Sequence, residues 1–303
     1  MSDEQVANLI KSDGVDLLVD LSGLTEHNRW LVFARKAAPV QITWIGYPAT
    51  TGLSTMDYKI VDSYTDPPGL TDRFYTEKLI RVPGCYLCYL PDRESPEVGP
   101  LPALSEGHIT FGSFNNFVKL TPDMMGLWSD IVKAIPGSRL VMKAKSLSDK
   151  STYGYVIDTF KQKGIPAERI ELLGWEPSSK GHLETFNRID IALDTFPYHG
   201  TTTTCEALWM GVPVITLAGT THASRVGVSL LSNVGLPELI AATPEEYIAK
   251  AVGLARDLEK LQTLRKCLRD MLSRSPLTDA KRFTLNLEEV YRKIWANWYM
   301  KDE

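Results

Sequence analysis

The densest chemical signal in this 303-residue sequence is Asp194-Thr195-Phe196-Pro197-Tyr198-His199-Gly200-Thr201-Thr202-Thr203-Thr204-Cys205-Glu206. It leaves an apolar, strand-like run and enters a helix-like one. The first turn of a helix offers unpaired N–H groups and a partial positive charge, a combination that suits phosphate. Threonine hydroxyls at that point add donors, and Gly200 lets the backbone approach a ligand closely. Glu206, one turn in, can accept from ribose hydroxyls. The same residues also fit a plain structural role, because Thr203-x-x-Glu206 is a capping box by pattern. Four consecutive threonines exceed what a cap needs, which moves the balance toward diphosphate binding.

A second junction, Phe111-Gly112-Ser113-Phe114-Asn115-Asn116-Phe117-Val118-Lys119-Leu120-Thr121-Pro122, again runs from strand to helix, with Pro122 marking the first helical position. Lys119 lies in the loop, where a cation would stabilise charge developing on a departing diphosphate; the bland alternative is a surface lysine. A third turn, Ala218–Arg225, supplies either further phosphate contacts or an ordinary tight connection. His182 opens a short helix, where its imidazole could face a base, cap the helix or sit on the surface. In the N-terminal part, Trp44–Gly52 follows a strand, and its Gly46 and Gly52 suit close approach to a sugar or an ordinary turn. There is no Gly-x-Gly-x-x-Gly, no Gly-x-x-x-x-Gly-Lys and no Gly-x-Ser-x-Gly, which disfavours dinucleotide dehydrogenases, P-loop enzymes and α/β-hydrolases. An Asp-x-Asp metal motif is absent too.

Positioning these junctions requires alternating strands and helices, and the last two-thirds of the chain provides them. Strands are expected at Ile109–Phe114, Arg139–Lys143, Arg169–Leu173, Asp190–Asp194 and Val212–Leu217. Helices are expected at Pro122–Ile135, Tyr153–Lys163, His182–Arg188, Thr203–Met210, Ser224–Val234, Pro244–Arg256 and Leu258–Leu272. This alternation reads as a doubly wound, mostly parallel sheet. Upstream, strands at Asp16–Leu21, Val40–Ile45, Tyr58–Val61 and Lys78–Val82, with helices at Asp3–Lys11 and Arg29–Lys36, make only part of a second Rossmann-like lobe. Leu90–Ser105 is rich in proline and charge and reads as a linker, giving expected domains of 1–105 and 106–303. A final helix, Thr278–Met300, carries a stripe of Phe283, Leu287, Val290, Tyr291, Ile294 and Trp298 and is expected to pack across the lobes.

Composition narrows the partners. The chain is 44% hydrophobic and 23% charged with a net charge of -4, close to globular averages and without a massed basic face for nucleic acid or a membrane surface. No apolar run approaches the roughly 20 residues that cross a bilayer. Four cysteines make no disulfide framework, and Cys85-x-x-Cys88 has no second spaced pair for zinc. A cytoplasmic protein is expected.

Over nearly its whole length the sequence resembles the catalytic region of the O-GlcNAc transferase and SPINDLY family. The matching stretches are Leu18–Gly23, Ala38–Asp62 with Trp44-Ile45-Gly46-Tyr47-Pro48, Phe111–Asn116, Asp194–Pro213 and Ala223–Leu231. Asn115-Asn116, Phe196-Pro197-Tyr198 and the threonine run are more similar to the SPINDLY-like bacterial branch. The resemblance implies an α/β fold of the GT-B type, two Rossmann-like lobes, with the N-terminal lobe incomplete because Met1 aligns with an internal family position. It implies an inverting, metal-independent transferase that needs no cofactor and moves GlcNAc or fucose from a UDP- or GDP-sugar to Ser or Thr hydroxyls of proteins. Carried over residue by residue, Lys119 is the catalytic lysine at the diphosphate, Asn116 meets the nucleotide, and His182 lies beside the base. Thr201, Thr202 and Thr203 bind the diphosphate, Glu206 the ribose, and Gly46 and Pro48 lie close to the sugar. No general base is evident; His27 and Asp20 are the nearest candidates. A catalytically silent nucleotide-binding module is the alternative, a nucleotide-sugar epimerase a weaker one, and unfinished sheet edges predict pairing with another copy.

Overall fold

In the computed structural model, which describes residues 1–300, the chain begins with α1 (Asp3–Ser12), β1 (Leu17–Asp20), α2 (Trp30–Phe33), β2 (Val40–Thr43), β3 (Tyr58–Asp62) and β4 (Lys78–Val82). There follow α3 (Pro102–Glu106), β5 (Thr110–Ser113), α4 (Pro122–Ala134), β6 (Arg139–Lys143), α5 (Lys150–Gln162), β7 (Ile170–Leu173) and α6 (Ser179–Glu184). The remainder is β8 (Ile191–Leu193), α7 (Thr202–Trp209), β9 (Val214–Leu217), α8 (Val226–Val234), β10 (Ile240–Ala241), α9 (Pro244–Arg256), α10 (Leu258–Ser273) and α11 (Ala280–Tyr299).

These elements form two units, one made of Met1–Cys88, Thr220–Ala223 and Asp279 onward, the other of Tyr89–Gly219 and Ser224–Thr278. Each is a parallel sheet with helices. The first sheet has the order β1-β2-β3-β4 and the second β10-β9-β8-β5-β6-β7. Residues of β2, β5, β8 and β9 are buried without alternation, as expected for central strands covered on both faces. The α/β class expected from the alternation is therefore what forms.

In the larger unit the strand order reverses between β5 and β8, which are neighbours although α4, β6, α5, β7 and α6 separate them in sequence. Beyond the carboxyl ends of strands at such a switch point, loops diverge and leave a crevice. The helices that flank it follow local rules. Thr121 caps α4 by accepting from the Met124 N–H at 3.2 Å, Pro122 takes the first helical position, and the apolar stripe Met124, Met125, Trp128, Ile131 and Val132 is buried.

Some elements differ from the sequence expectation. The helix expected over Arg29–Lys36 is only Trp30–Phe33, and Lys36 takes a left-handed φ of 47°. The helix expected from His182 starts at Ser179 instead, because the Ser178 hydroxyl caps it at the Gly181 N–H, 3.0 Å away, and it relaxes into a 3-10 turn over Thr185–Arg188. The two-residue β10 carries too little pattern to be seen in sequence.

In the smaller unit α11 packs against β4, burying Val290 and Ile294, while Trp44 stacks on Phe283 with ring centroids 5.7 Å apart. The loop after β2 bends sharply. Ile45 has φ 63°, unusual for a β-branched residue, and Gly46 N–H donates back to the Trp44 carbonyl at 2.8 Å. A Cβ on Gly46 would stand 2.2 Å from the Leu21 carbonyl oxygen, so this glycine is required by backbone packing. The buried Lys59 ammonium ties the same loop down by donating to the Tyr47 carbonyl at 2.8 Å. Gly46→Ala is expected to cost about 1–3 kcal/mol, as overpacking typically does, read as a lower midpoint in denaturant unfolding; an unchanged midpoint would show that the loop moves aside freely.

Candidate functional site

Asp194 follows β8 and is buried. Its Oδ1 accepts from the Thr195 N–H (2.9 Å), the Gly200 N–H (2.7 Å) and Asn115 Nδ2 (3.2 Å), and its Oδ2 accepts from the Thr216 hydroxyl (2.8 Å). One carboxylate thus ties the loop after β8 to the loop after β5 and to β9. Gly200 has to be glycine here, since a Cβ would meet Asn115 Oδ1 at 2.6 Å and Thr204 Oγ1 at 2.8 Å.

His199, in the same loop, is buried. Its Nε2 lies 2.9 Å from the Leu217 carbonyl and so carries the proton, leaving Nδ1 to accept from the Gly227 N–H at 3.0 Å. Burial depresses its pKa, and the ring is neutral. Lys119 Nζ donates to the His199 carbonyl at 2.8 Å and sits 4.1 Å from the centre of the Tyr198 ring. Burial pulls the Lys119 pKa down from the ordinary lysine range, against the opposing pull of Asp194.

One residue beyond Gly200, Thr201 occupies the N-cap of α7 without a capping side-chain bond. The capping-box reading of Thr203 and Glu206 is therefore wrong. The helix starts at Thr202, and Glu206 turns outward, its Oε2 3.1 Å from His182 Nε2. Thr202 is exposed, Thr201 and Thr203 are half-buried, and the first-turn N–H groups of α7 face the switch point uncapped.

Beside this anion-ready terminus lies an open cleft of about 410 Å³, lined by Asn115, Asn116, Lys143, Trp175, Glu176 and His182 among others. Asn116 is exposed, with its Oδ1 accepting from the Val118 N–H at 3.3 Å. Lys143 went unnoticed in the sequence, yet its Nζ is 2.7 Å from His182 Nδ1. Burial lowers the Lys143 pKa, and Glu176 and Glu206 oppose the shift. The one signal that could have found it is a lysine closing an otherwise apolar strand next to the switch point.

The fold thus brings Lys119, Asn116, His182, Thr201, Thr202, Thr203 and Glu206 to one end of one sheet. Gly46 and Pro48 belong to the other unit, in the loop after β2. Asp20 spends its carboxylate on the N–H groups of Ser22 and Gly23 and on the Thr43 hydroxyl, while His27 is exposed. Among the described residues no three His, Cys, Asp or Glu side chains group as metal ligands, and no helix is long and apolar enough to cross a membrane.

The model of glycosyl transferase family 41 matches residues 1–92 and 101–287. The chain belongs to this family. It is 46% identical over 303 residues to a probable UDP-N-acetylglucosamine–peptide N-acetylglucosaminyltransferase SPINDLY of Arabidopsis thaliana, covering all of this chain and 33% of that protein. The tomato SPINDLY protein (Solanum lycopersicum) is 45% identical over 298 residues, 98% of this chain and 32% of its own length. The chain thus spans about a third of the length of the curated relatives it matches. Among solved structures, a mutant O-GlcNAc transferase of Thermobaculum terrenum superposes with a TM-score of 0.95 at 41% identity, over all of this chain and 57% of that one. That likeness fits the GT-B architecture expected from the resemblance.

The neutral His199 sets a pH dependence for the stability of this chain. Its folded pKa lies below the 6.5 of a free histidine, so below that pH the unfolded state binds the extra proton first. Stability is fully present above about pH 6.5 and falls as the pH drops, by at most about 1.4 kcal/mol per pH unit for one proton. Denaturant unfolding at several pH values should show this slope, and His199→Gln should flatten it; an identical slope in the variant would assign it elsewhere.

Proposed function

We propose that this chain carries the donor-binding and leaving-group machinery of a protein glycosyltransferase. The reaction is transfer of GlcNAc or fucose from a UDP- or GDP-sugar to a Ser or Thr hydroxyl, with inversion and without a metal. The observation that carries this reading is the convergence of Lys119 and the uncapped start of α7 on the loop after β8, at the switch point of a parallel sheet. Family membership supports the reaction class, and the activity named for the SPINDLY relatives supports a nucleotide-sugar donor and a protein acceptor.

In this reading the diphosphate lies at the first turn of α7, where the N–H groups and the hydroxyls of Thr201, Thr202 and Thr203 donate to its oxygens. Glu206 accepts from the ribose, and His182 and Asn116 line the cleft that takes the base. Gly46 and Pro48 act near the sugar. The acceptor hydroxyl oxygen attacks the anomeric carbon as the bond from that carbon to the diphosphate oxygen breaks; the bonding pair leaves with the diphosphate and the hydroxyl proton passes to solvent. Charge builds on that leaving group, and the Lys119 ammonium, half-buried against an aromatic face, meets it in surroundings less screened than water.

Removing a single preorganised donor to developing charge costs about 100-fold or more in kcat. Lys119→Met should therefore cut release of nucleoside diphosphate from donor and acceptor peptide by about that factor, with Thr202→Ala and Thr203→Ala mainly raising donor KM. A Lys119→Met protein that is folded and turns over at the wild-type rate would remove the leaving-group role.

A further inference from the structure

Lys143 is only 6% exposed at the carboxyl end of β6, a place where neither strand pairing nor sheet packing asks for a cation. Its Nζ lies 2.7 Å from His182 Nδ1 and 3.5 Å from the Thr185 hydroxyl. Across the ring, His182 Nε2 lies 3.1 Å from Glu206 Oε2. An ammonium donates and never accepts, so Nδ1 of His182 must be the acceptor and the neutral ring carries its proton on Nε2, toward Glu206. The ring is held edge-on to Phe186 at 5.7 Å, and Phe186 packs on Phe114 at 4.6 Å, so the chain of donors runs beside an apolar wall. The charged groups facing the imidazole are Lys143 from β6, Glu206 from α7 and Glu176 from the loop before α6. The Glu176 carboxylate is itself held by the Ser178 N–H at 3.1 Å. No described residue donates to Glu206 Oε1.

We propose that Lys143 is a positioning residue: it fixes His182 as a one-way donor to Glu206, so that Glu206 presents its remaining oxygen to the ribose diol in a single orientation. In this assignment Lys143 acts through the His182 ring. The assignment rests on the reading that Glu206 meets the ribose. It gives a strand lysine, a helix histidine and a second helix's glutamate one shared task, selection of ribonucleotides. Loss of any link frees the carboxylate and removes the preference without touching the diphosphate contacts.

The test titrates UDP and GDP, and their 2′-deoxy and 3′-deoxy counterparts, into the wild type, Lys143→Met, Lys143→Arg and Glu206→Gln by calorimetry. The wild type should favour the ribonucleotide by about tenfold or more. Lys143→Met and Glu206→Gln should lose most of that preference, and Lys143→Arg, which can still donate to Nδ1, should keep it. In ligand-free protein the imidazole N–H proton of His182, identified by its loss in His182→Gln, should be protected from exchange in the wild type and Lys143→Arg, and lost in Lys143→Met. A folded Lys143→Met that keeps both the preference and the protected proton overturns the proposal. If Glu206→Gln keeps the preference, the ribose contact is what fails, and the imidazole signal alone decides whether Lys143 locks His182: its loss in Lys143→Met upholds the lock, its persistence overturns it. Should Lys143→Met fail to fold, His182→Gln takes its place in the titration, where a retained preference overturns the proposal and a lost one supports it.

Discussion

Four donors converge on the Asp194 carboxylate, two from its own loop, one from Asn115 after β5 and one from Thr216 in β9. A buried carboxylate is costly to leave unsatisfied, so each donor stabilises the others' placement. The loop from Thr195 to Gly200 consequently has one shape, and everything at the switch point inherits it. The carbonyl of His199 is aimed at Lys119, Gly200 seats against Asn115, and Thr201 opens α7 with its first N–H groups unclaimed. Behind the loop the Tyr247 hydroxyl donates to the Asp194 carbonyl at 2.9 Å and receives the Trp128 indole N–H at 3.1 Å, which braces the end of β8 from the core.

The electrostatics of the region follow from that frame. The partial positive charge of the α7 terminus and the Lys119 ammonium lie close together with no carboxylate other than Asp194 in the loop between them. Burial keeps His199 neutral, and its Nε2 and Nδ1 are committed to the Leu217 carbonyl and the Gly227 N–H. Glu206, the nearest acid on α7, faces away from the terminus toward His182 and Lys143. Lys119 and the α7 terminus therefore set full and partial positive charge at the switch point, with the mixed polar cleft of Asn116, Lys143 and His182 beside them.

Much of this was readable in the residues. Strands such as Tyr58–Asp62 and Arg139–Lys143 announce themselves through their short apolar centres, Ile60-Val61 and Leu140-Val141-Met142, and capped helices such as Pro122–Ala134 carry their start signal in Thr121-Pro122. The first two strand-to-helix junctions singled out from the residues, those after β8 and after β5, lie at the switch point. What failed was the local reading of Glu206. Its spacing from Thr203 fits a cap, and only the packing of α6 beside α7 supplies the His182 partner that wins it. Lys143 was invisible for the same reason, since its meaning comes from a residue 39 positions away. Gly46 looked like room for a sugar, whereas the immediate demand on it is the Leu21 backbone.

If the Asp194 carboxylate, by tying the loops after β5 and β8 together, shapes one anion-binding surface, its loss must weaken nucleotide binding. Calorimetric titration of UDP and GDP into the wild type and Asp194→Asn decides this, with thermal unfolding as a check that the variant is folded. The amide places an NH2 donor among donors, so the loop loses its anchor while the sheet remains. The wild type should bind one of the two nucleotides, and the variant should bind it at least about tenfold more weakly, a loss of roughly 1.4 kcal/mol. Equal affinity in a folded Asp194→Asn protein, or no binding of either nucleotide by the wild type, would contradict it.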